Sequence, residues 1–130
     1  MRKILILLKV LILSTVILAQ TSCFEDLTRT SIQLNTEYNH TISAFGTKYY
    51  SITILTSGNY TVSLTNCQTD LSWTLYDASG TELWDQDDSS SDGDEVYGTA
   101  IPAGKYKIDV EEWDDFSSSY TLEVYTGLPL

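Results

Sequence analysis

Six acidic side chains, Asp85, Asp87, Asp88, Asp92, Asp94 and Glu95, fall within eleven consecutive positions, interleaved with Ser89, Ser90, Ser91 and Gly93. A hard cation such as calcium takes about six to eight oxygens from a flexible segment. Carboxylates, hydroxyls and backbone carbonyls here could supply them, and Gly93 permits a sharp bend. The spacing is not that of an EF-hand, because the acids do not alternate through such a frame toward a closing Glu. Two readings stand: a calcium loop, and a solvated acidic loop that keeps the chain soluble.

A second acidic run, Glu111-Glu112-Trp113-Asp114-Asp115-Phe116, precedes Ser117-Ser118-Ser119 and reads as a loop tip. A tryptophan exposed among acids usually serves a contact, because its large apolar surface is costly in water. Trp84 stands in the same way beside the first acidic segment. Trp84, Trp113 and Phe116 are therefore candidate contacts to a sugar ring or a protein partner, with the alternative that Trp113 folds back as a lid over the protein's edge. Trp73 lies inside an alternating segment and belongs to the core. Catalysis is not expected. His40 is the single imidazole and is expected at the surface; no Gly-x-Ser-x-Gly elbow or His-Glu-x-x-His occurs. Adjacent acids such as Asp114 and Asp115 do not provide the separated, facing carboxylates of a glycosidase.

The charge excludes other classes. The chain has 130 residues, 7 Lys+Arg and 18 Asp+Glu, for a net charge of −11. Arg2, Lys3 and Lys9 precede every acid; without them four basic side chains remain against eighteen acids, a net of −14. Such a surface repels phosphate, so nucleic acid is not an expected partner.

The elements that must carry these loops read as strands. Tyr50, Ile52 and Ile54 alternate with Ser51 and Thr53; Tyr60, Val62 and Leu64 with Thr61 and Ser63; Leu71, Trp73 and Leu75 with Ser72 and Thr74. The same period of two runs through Tyr106, Ile108 and Val110 and through Tyr120, Leu122 and Val124. Ser31–Leu34 and Thr41–Ala44 are weaker strands. Ser57-Gly58-Asn59, Asp77-Ala78-Ser79-Gly80 and Pro102-Ala103-Gly104 are turns, with Gly80 suited to positive φ. The pattern predicts an all-β, antiparallel, jelly-roll-like β-sandwich of seven to nine strands over 31–126. A tether at 23–30 precedes it and a tail at 127–130 follows.

Four stretches in this order resemble the bacterial pre-peptidase C-terminal domain: Thr47-Lys48-Tyr49-Tyr50-Ser51-Ile52, Thr69-Asp70-Leu71 through Gly80, Pro102-Ala103-Gly104-Lys105-Tyr106 through Val110, and Ser119-Tyr120-Thr121-Leu122-Glu123-Val124. That resemblance implies a jelly-roll-like sandwich with a non-catalytic accessory role in an exported protein. In some members of the family paired acids before the leucine strand bind calcium; here Asp70 alone stands there, and Lys48 replaces a common Asp. The expected function is a stand-alone binding module contacting an extracellular protein or glycan. The alternative is a structural spacer with no specific ligand.

Residues 1–22 read as an export signal: a basic Met1-Arg2-Lys3 start, then an apolar stretch from Val10 to Ala19 too short to remain as a spanning helix. Ser22-Cys23 after that stretch resembles the lipobox of bacterial lipoproteins, although Gln20 stands where an aliphatic residue is usual. The resemblance implies a lipid anchor on Cys23 and a place in the cell envelope. Cleavage after Ala19, giving a secreted or periplasmic chain, is the rival. A disulfide between Cys23 and Cys67 would exclude lipidation, and two free thiols are the third outcome. Labelled palmitate should enter the wild type and not Cys23→Ser; an unlabelled wild type removes the anchor.

Overall fold

The computed structural model describes residues 28–87 and 93–130. Residues 1–22, which read as an export signal, and Cys23, Asp88 and Asp92 lie outside the described residues.

The alternating segments fold as strands: β1 (Thr30–Ser31), β2 (Tyr38–Ile42), β3 (Thr47–Ile54), β4 (Gly58–Thr65), β5 (Leu71–Asp77), β6 (Glu82–Gln86), β7 (Glu95–Ile101), β8 (Gly104–Glu112) and β9 (Ser118–Thr126). They form two sheets, one in the order β1-β3-β8-β5-β6 and one in the order β2-β9-β4-β7. This is an all-β sandwich, and no helix occurs among the described residues. All pairings are antiparallel except β1 with β3, where Thr30 pairs with Tyr50 and Ser31 with Ser51 in parallel. Thr30 therefore belongs to the sheet rather than to a tether.

The alternation places one side of each strand in the core. Tyr50, Ile52, Leu71, Trp73, Ile108 and Val110 from the first sheet face Val62, Leu64, Leu122 and Val124 from the second, all buried. Each such side chain contributes about 1.5–3 kcal/mol by leaving water. Polar atoms inside are answered across the gap between the sheets. The Trp73 indole Nε1–H donates to the Glu95 carbonyl at 2.9 Å, and the hydroxyls of Tyr50 and Tyr120 hydrogen-bond to each other.

Asp77 builds the β5–β6 turn. Its Oδ1 accepts the Ser79 and Thr81 N–H groups at 2.9 and 3.0 Å, and Gly80 has φ +88°. Hydrogen bonding, with the Ser79 hydroxyl foremost, holds the Asp77 carboxyl below its ordinary pKa. Gly127, where the C-terminal segment begins, is held against β4. Gly127 (φ 104°) donates to the Asn59 carbonyl at 2.8 Å, and Thr61 donates to the Gly127 carbonyl at 2.7 Å. A Cβ added at Gly98 would lie 2.5 Å from the Pro129 ring, so glycine is what admits this segment against β7.

Truncating Trp73 removes the largest buried side chain and its hydrogen bond to the Glu95 carbonyl. Trp73→Ala should cost about 3–5 kcal/mol, read as a lower urea midpoint with an unchanged slope.

Candidate functional site

Three connections, β2–β3, β4–β5 and β8–β9, meet at one end of the sandwich, where β6 also ends and β7 begins. The register brings them there, since Thr47 pairs with Glu111, Leu71 with Glu112, Trp73 with Gln86 and Ile42 with Ser118. Glu112 ties these three connections together. It ends β8 with its side chain buried, so the loop tip is 113–117 and not the whole acidic run. Thr69 of β4–β5 donates its hydroxyl to Glu112 Oε2. The Asp114 N–H donates to Oε1 at 2.8 Å, and the Glu112 N–H donates to the Gly46 carbonyl at 3.0 Å.

Aromatic rings project from this frame. Trp113 is fixed at both ends of its side chain's reach: its N–H donates to the Asp70 carbonyl at 3.1 Å and its indole Nε1–H to Ser72 Oγ at 2.8 Å. It lies along the outer face of β5, yet 53% of its surface is exposed. Phe116 is 66% exposed. Sequence reasoning missed Phe45, 69% exposed on the adjoining β2–β3 loop. Its N–H donates to the Asp114 carbonyl at 3.2 Å, and it holds φ at +52°. That left-handed conformation suits Gly or Asn better than a bulky residue. The available signal was a phenylalanine directly before Gly46 between two strand patterns. Gly46 is itself confined, since an added Cβ would sit 2.8 Å from the Ser43 carbonyl oxygen.

Carboxylates surround these rings. Asp114 Oδ2 accepts the Asp70 N–H at 3.1 Å. Asp70 Oδ1 is buried and has no hydrogen-bond partner among the described residues. Burial first, then the charges of Asp87 and Asp114, push the Asp70 carboxyl above its ordinary pKa. Asp94 Oδ1 accepts the Asn66 N–H at 3.2 Å. Beneath them Cys67 is a buried thiol with its pKa pushed up to about 12, by burial foremost and then by Asp94, Glu95 and Glu112. A thiol so placed stays protonated and is a poor nucleophile.

The described acids of the first segment do not all face one way. Asp85 lies on the outer side of β6, where Thr74 donates to Oδ1 at 3.3 Å. Glu95 starts β7 opposite Leu64, 1% exposed and turned inward, with Gln86 Nε2 3.5 Å from its Oε2. Among the described residues no group of three or more His, Cys, Asp or Glu side chains stands close enough to hold a metal ion.

Trp84 and His40 each meet other rings. Trp84 pairs with Leu75 in register and stacks on Tyr97 at 3.8 Å with planes 5° apart. It braces the edge strands β6 and β7 against each other, away from Trp113 and Phe116. His40 is not a surface residue outside a strand. It lies within β2, its ring 5.4 Å from that of Tyr50 and 6.2 Å from that of Tyr120. Burial, with a smaller contribution from Lys48, lowers its pKa.

No protein-family model matches the sequence, and no curated protein is similar to it. Solved structures share its architecture. The pre-peptidase C-terminal domain of a collagenase from Bacillus anthracis superposes with a TM-score of 0.63 at 19% identity, covering 74% of this chain and 93% of that one. This chain has the fold of that domain. A periplasmic inhibitor of g-type lysozyme from Aeromonas hydrophila is similar at TM-score 0.52 and 14% identity, over 75% of this chain and 97% of that one. The Yersinia pseudotuberculosis-derived mitogen is similar at 0.53 and 18%, over 71% and 85%.

Proposed function

We propose that this protein is an exported, non-catalytic binding module that docks a protein or glycan through the aromatic end of its sandwich. The observation that carries the reading is the set of Phe45, Trp113 and Phe116, all largely exposed on adjoining loops whose backbones are pinned by hydrogen bonds. Rings held in place before binding lose little entropy on contact, which favours them as anchors. The similarity to a periplasmic lysozyme inhibitor supports export and a role performed by a surface. Cys23 would anchor the module to the envelope by lipid.

Retention on insoluble peptidoglycan, on glycan arrays and on envelope-protein extracts tests this. The wild type should be retained on one of them. The Trp113→Ala/Phe116→Ala variant should lose retention about tenfold or more, with its thermal midpoint within a few degrees of wild type because both rings are largely exposed. Equal retention of the two proteins, or none of either, assigns the chain to a structural spacer role instead.

Calcium is the cation that the same end would take. The buried Oδ1 of Asp70, without a partner among the described residues, is the kind of oxygen that a divalent ion satisfies. Asp87 and Asp114 are the acids whose charges act on it, and Asp88 and Asp92 of the same acidic run as Asp87 would be further donors. Binding to the folded state alone raises stability by about 2.7 kcal/mol at a hundredfold excess over Kd. Calcium should therefore raise the thermal midpoint by several degrees over chelator, and magnesium should not. An unchanged midpoint at millimolar calcium leaves these acids as solvated charge.

A further inference from the structure

The protein also carries a cavity of opposite character. It occupies about 320 Å³ on the outer side of the first sheet, near the end remote from Trp113. Arg29, Lys105 and Lys107 line it together with Ser31, Ser51 and Thr53. Beyond residues 1–22 the chain has four basic residues, and three of the four line this one cavity, with Asp109 paired to Arg29 beside it. The guanidinium of Arg29 is set in place. Its Nη1 donates to Asp109 Oδ1 at 2.7 Å and to the Tyr50 carbonyl at 3.2 Å, and the group lies 5.3 Å above the Tyr49 ring. Lys107 pairs with Ser51 across β8 and β3, and Lys105 with Thr53, which puts each cation beside a hydroxyl.

We propose that this cavity binds a carboxylated sugar, with Lys105 and the remaining N–H groups of Arg29 on the carboxylate and the serine and threonine hydroxyls on the ring. A cluster of cations in a strongly acidic protein selects for an anion at short range, since charges more than about 8 Å away are screened at physiological salt. The volume sits at the small end of ligand pockets, about 300–1,000 Å³, and matches one monosaccharide rather than an extended polymer face. An acidic peptide fits less well. The edge strand beside the cavity, β1, is two residues long and offers little backbone for an added strand.

Titration of the purified protein with glucuronate, glucose, inorganic sulfate and a glutamate-rich peptide tests the assignment. Glucuronate should bind and glucose should not. Lys105→Gln should weaken glucuronate about tenfold, the scale of one charge-assisted hydrogen bond, and Lys105→Arg should restore it. Lys105 is exposed, so thermal unfolding of both variants should match wild type. No glucuronate binding up to about 10 mM, an unaffected Lys105→Gln, sulfate as strong as glucuronate, or the peptide binding in its place would each overturn the proposal. Trp113→Ala/Phe116→Ala should leave glucuronate binding intact, which separates this cavity from the aromatic end.

Discussion

One buried carboxylate governs the end of the molecule that meets its surroundings. Glu112 lies at the last position of β8, turned inward, where both its oxygens are taken by donors from two different loops and its N–H reaches a third. Removing a buried acceptor leaves its donors without partners, at about 1–3 kcal/mol each. The interaction therefore does more than stabilise. It fixes Thr69, Asp114 and Gly46 relative to one another, and through them the backbones that carry Asp70, Trp113 and Phe45. A flexible set of loops would bury the phenylalanine or let the indole wander. This set holds both outward, and even keeps Phe45 at a positive φ that its side chain disfavours.

The rest of the sandwich is arranged so that this end has a rigid base. Two hydrophobic sheets attract without direction, and apolar contact alone would allow them to slide. Directional contacts across the gap remove that freedom. Trp73 reaches from β5 to the Glu95 carbonyl on β7, Tyr50 on β3 meets Tyr120 on β9, and Trp84 on β6 stacks on Tyr97 of β7. The last closes the side where the edge strands β6 and β7 would otherwise gape. Edge strands expose unpaired backbone and invite further pairing. On β6 the acids Glu82 and Asp85 are exposed, which disfavours addition of another strand.

Much of this was legible because the period of two is strict where a strand is buried on one face. Tyr50 to Ile54, Tyr60 to Leu64, Leu71 to Leu75, Tyr106 to Val110 and Tyr120 to Val124 each fall inside an observed strand, and Trp73 is in the core as its pattern implies. β6 and β7 escaped for a physical reason. β6 is exposed along most of its length, and Gly98 interrupts β7, so neither alternates cleanly. Without that period, Asp85 and Glu95 read together with the acidic loop between them. Their true directions follow from register, which depends on a partner strand distant in sequence. Glu112 was misplaced similarly. Composition reads it with its acidic neighbours, while its position on β8 puts it on the same inward side as Ile108 and Val110. Phe45 had only local turn chemistry to mark it. The parallel pairing of Thr30 and Ser31 had no local signal, since two residues carry no period.

The outer side of β8 shows how one strand can serve two ends. Its outward residues run Lys105, Lys107, Asp109, Glu111, from cationic at the cavity end to acidic toward Trp113. Arg29 sits on the boundary, paired with Asp109 at 2.7 Å with both side chains mostly buried. Shielded from water, that contact is stronger than an exposed pair of the same length, and it joins the entering chain to the central strand of the sheet. The neutralised row at Asp109 separates the two charged regions. Each region then acts over a Debye length that is shorter than the strand, which spans nine residues at about 3.3 Å each. A protein with a net charge of −11 can in this way keep a local preference for anions without cancelling the acidity of its opposite end.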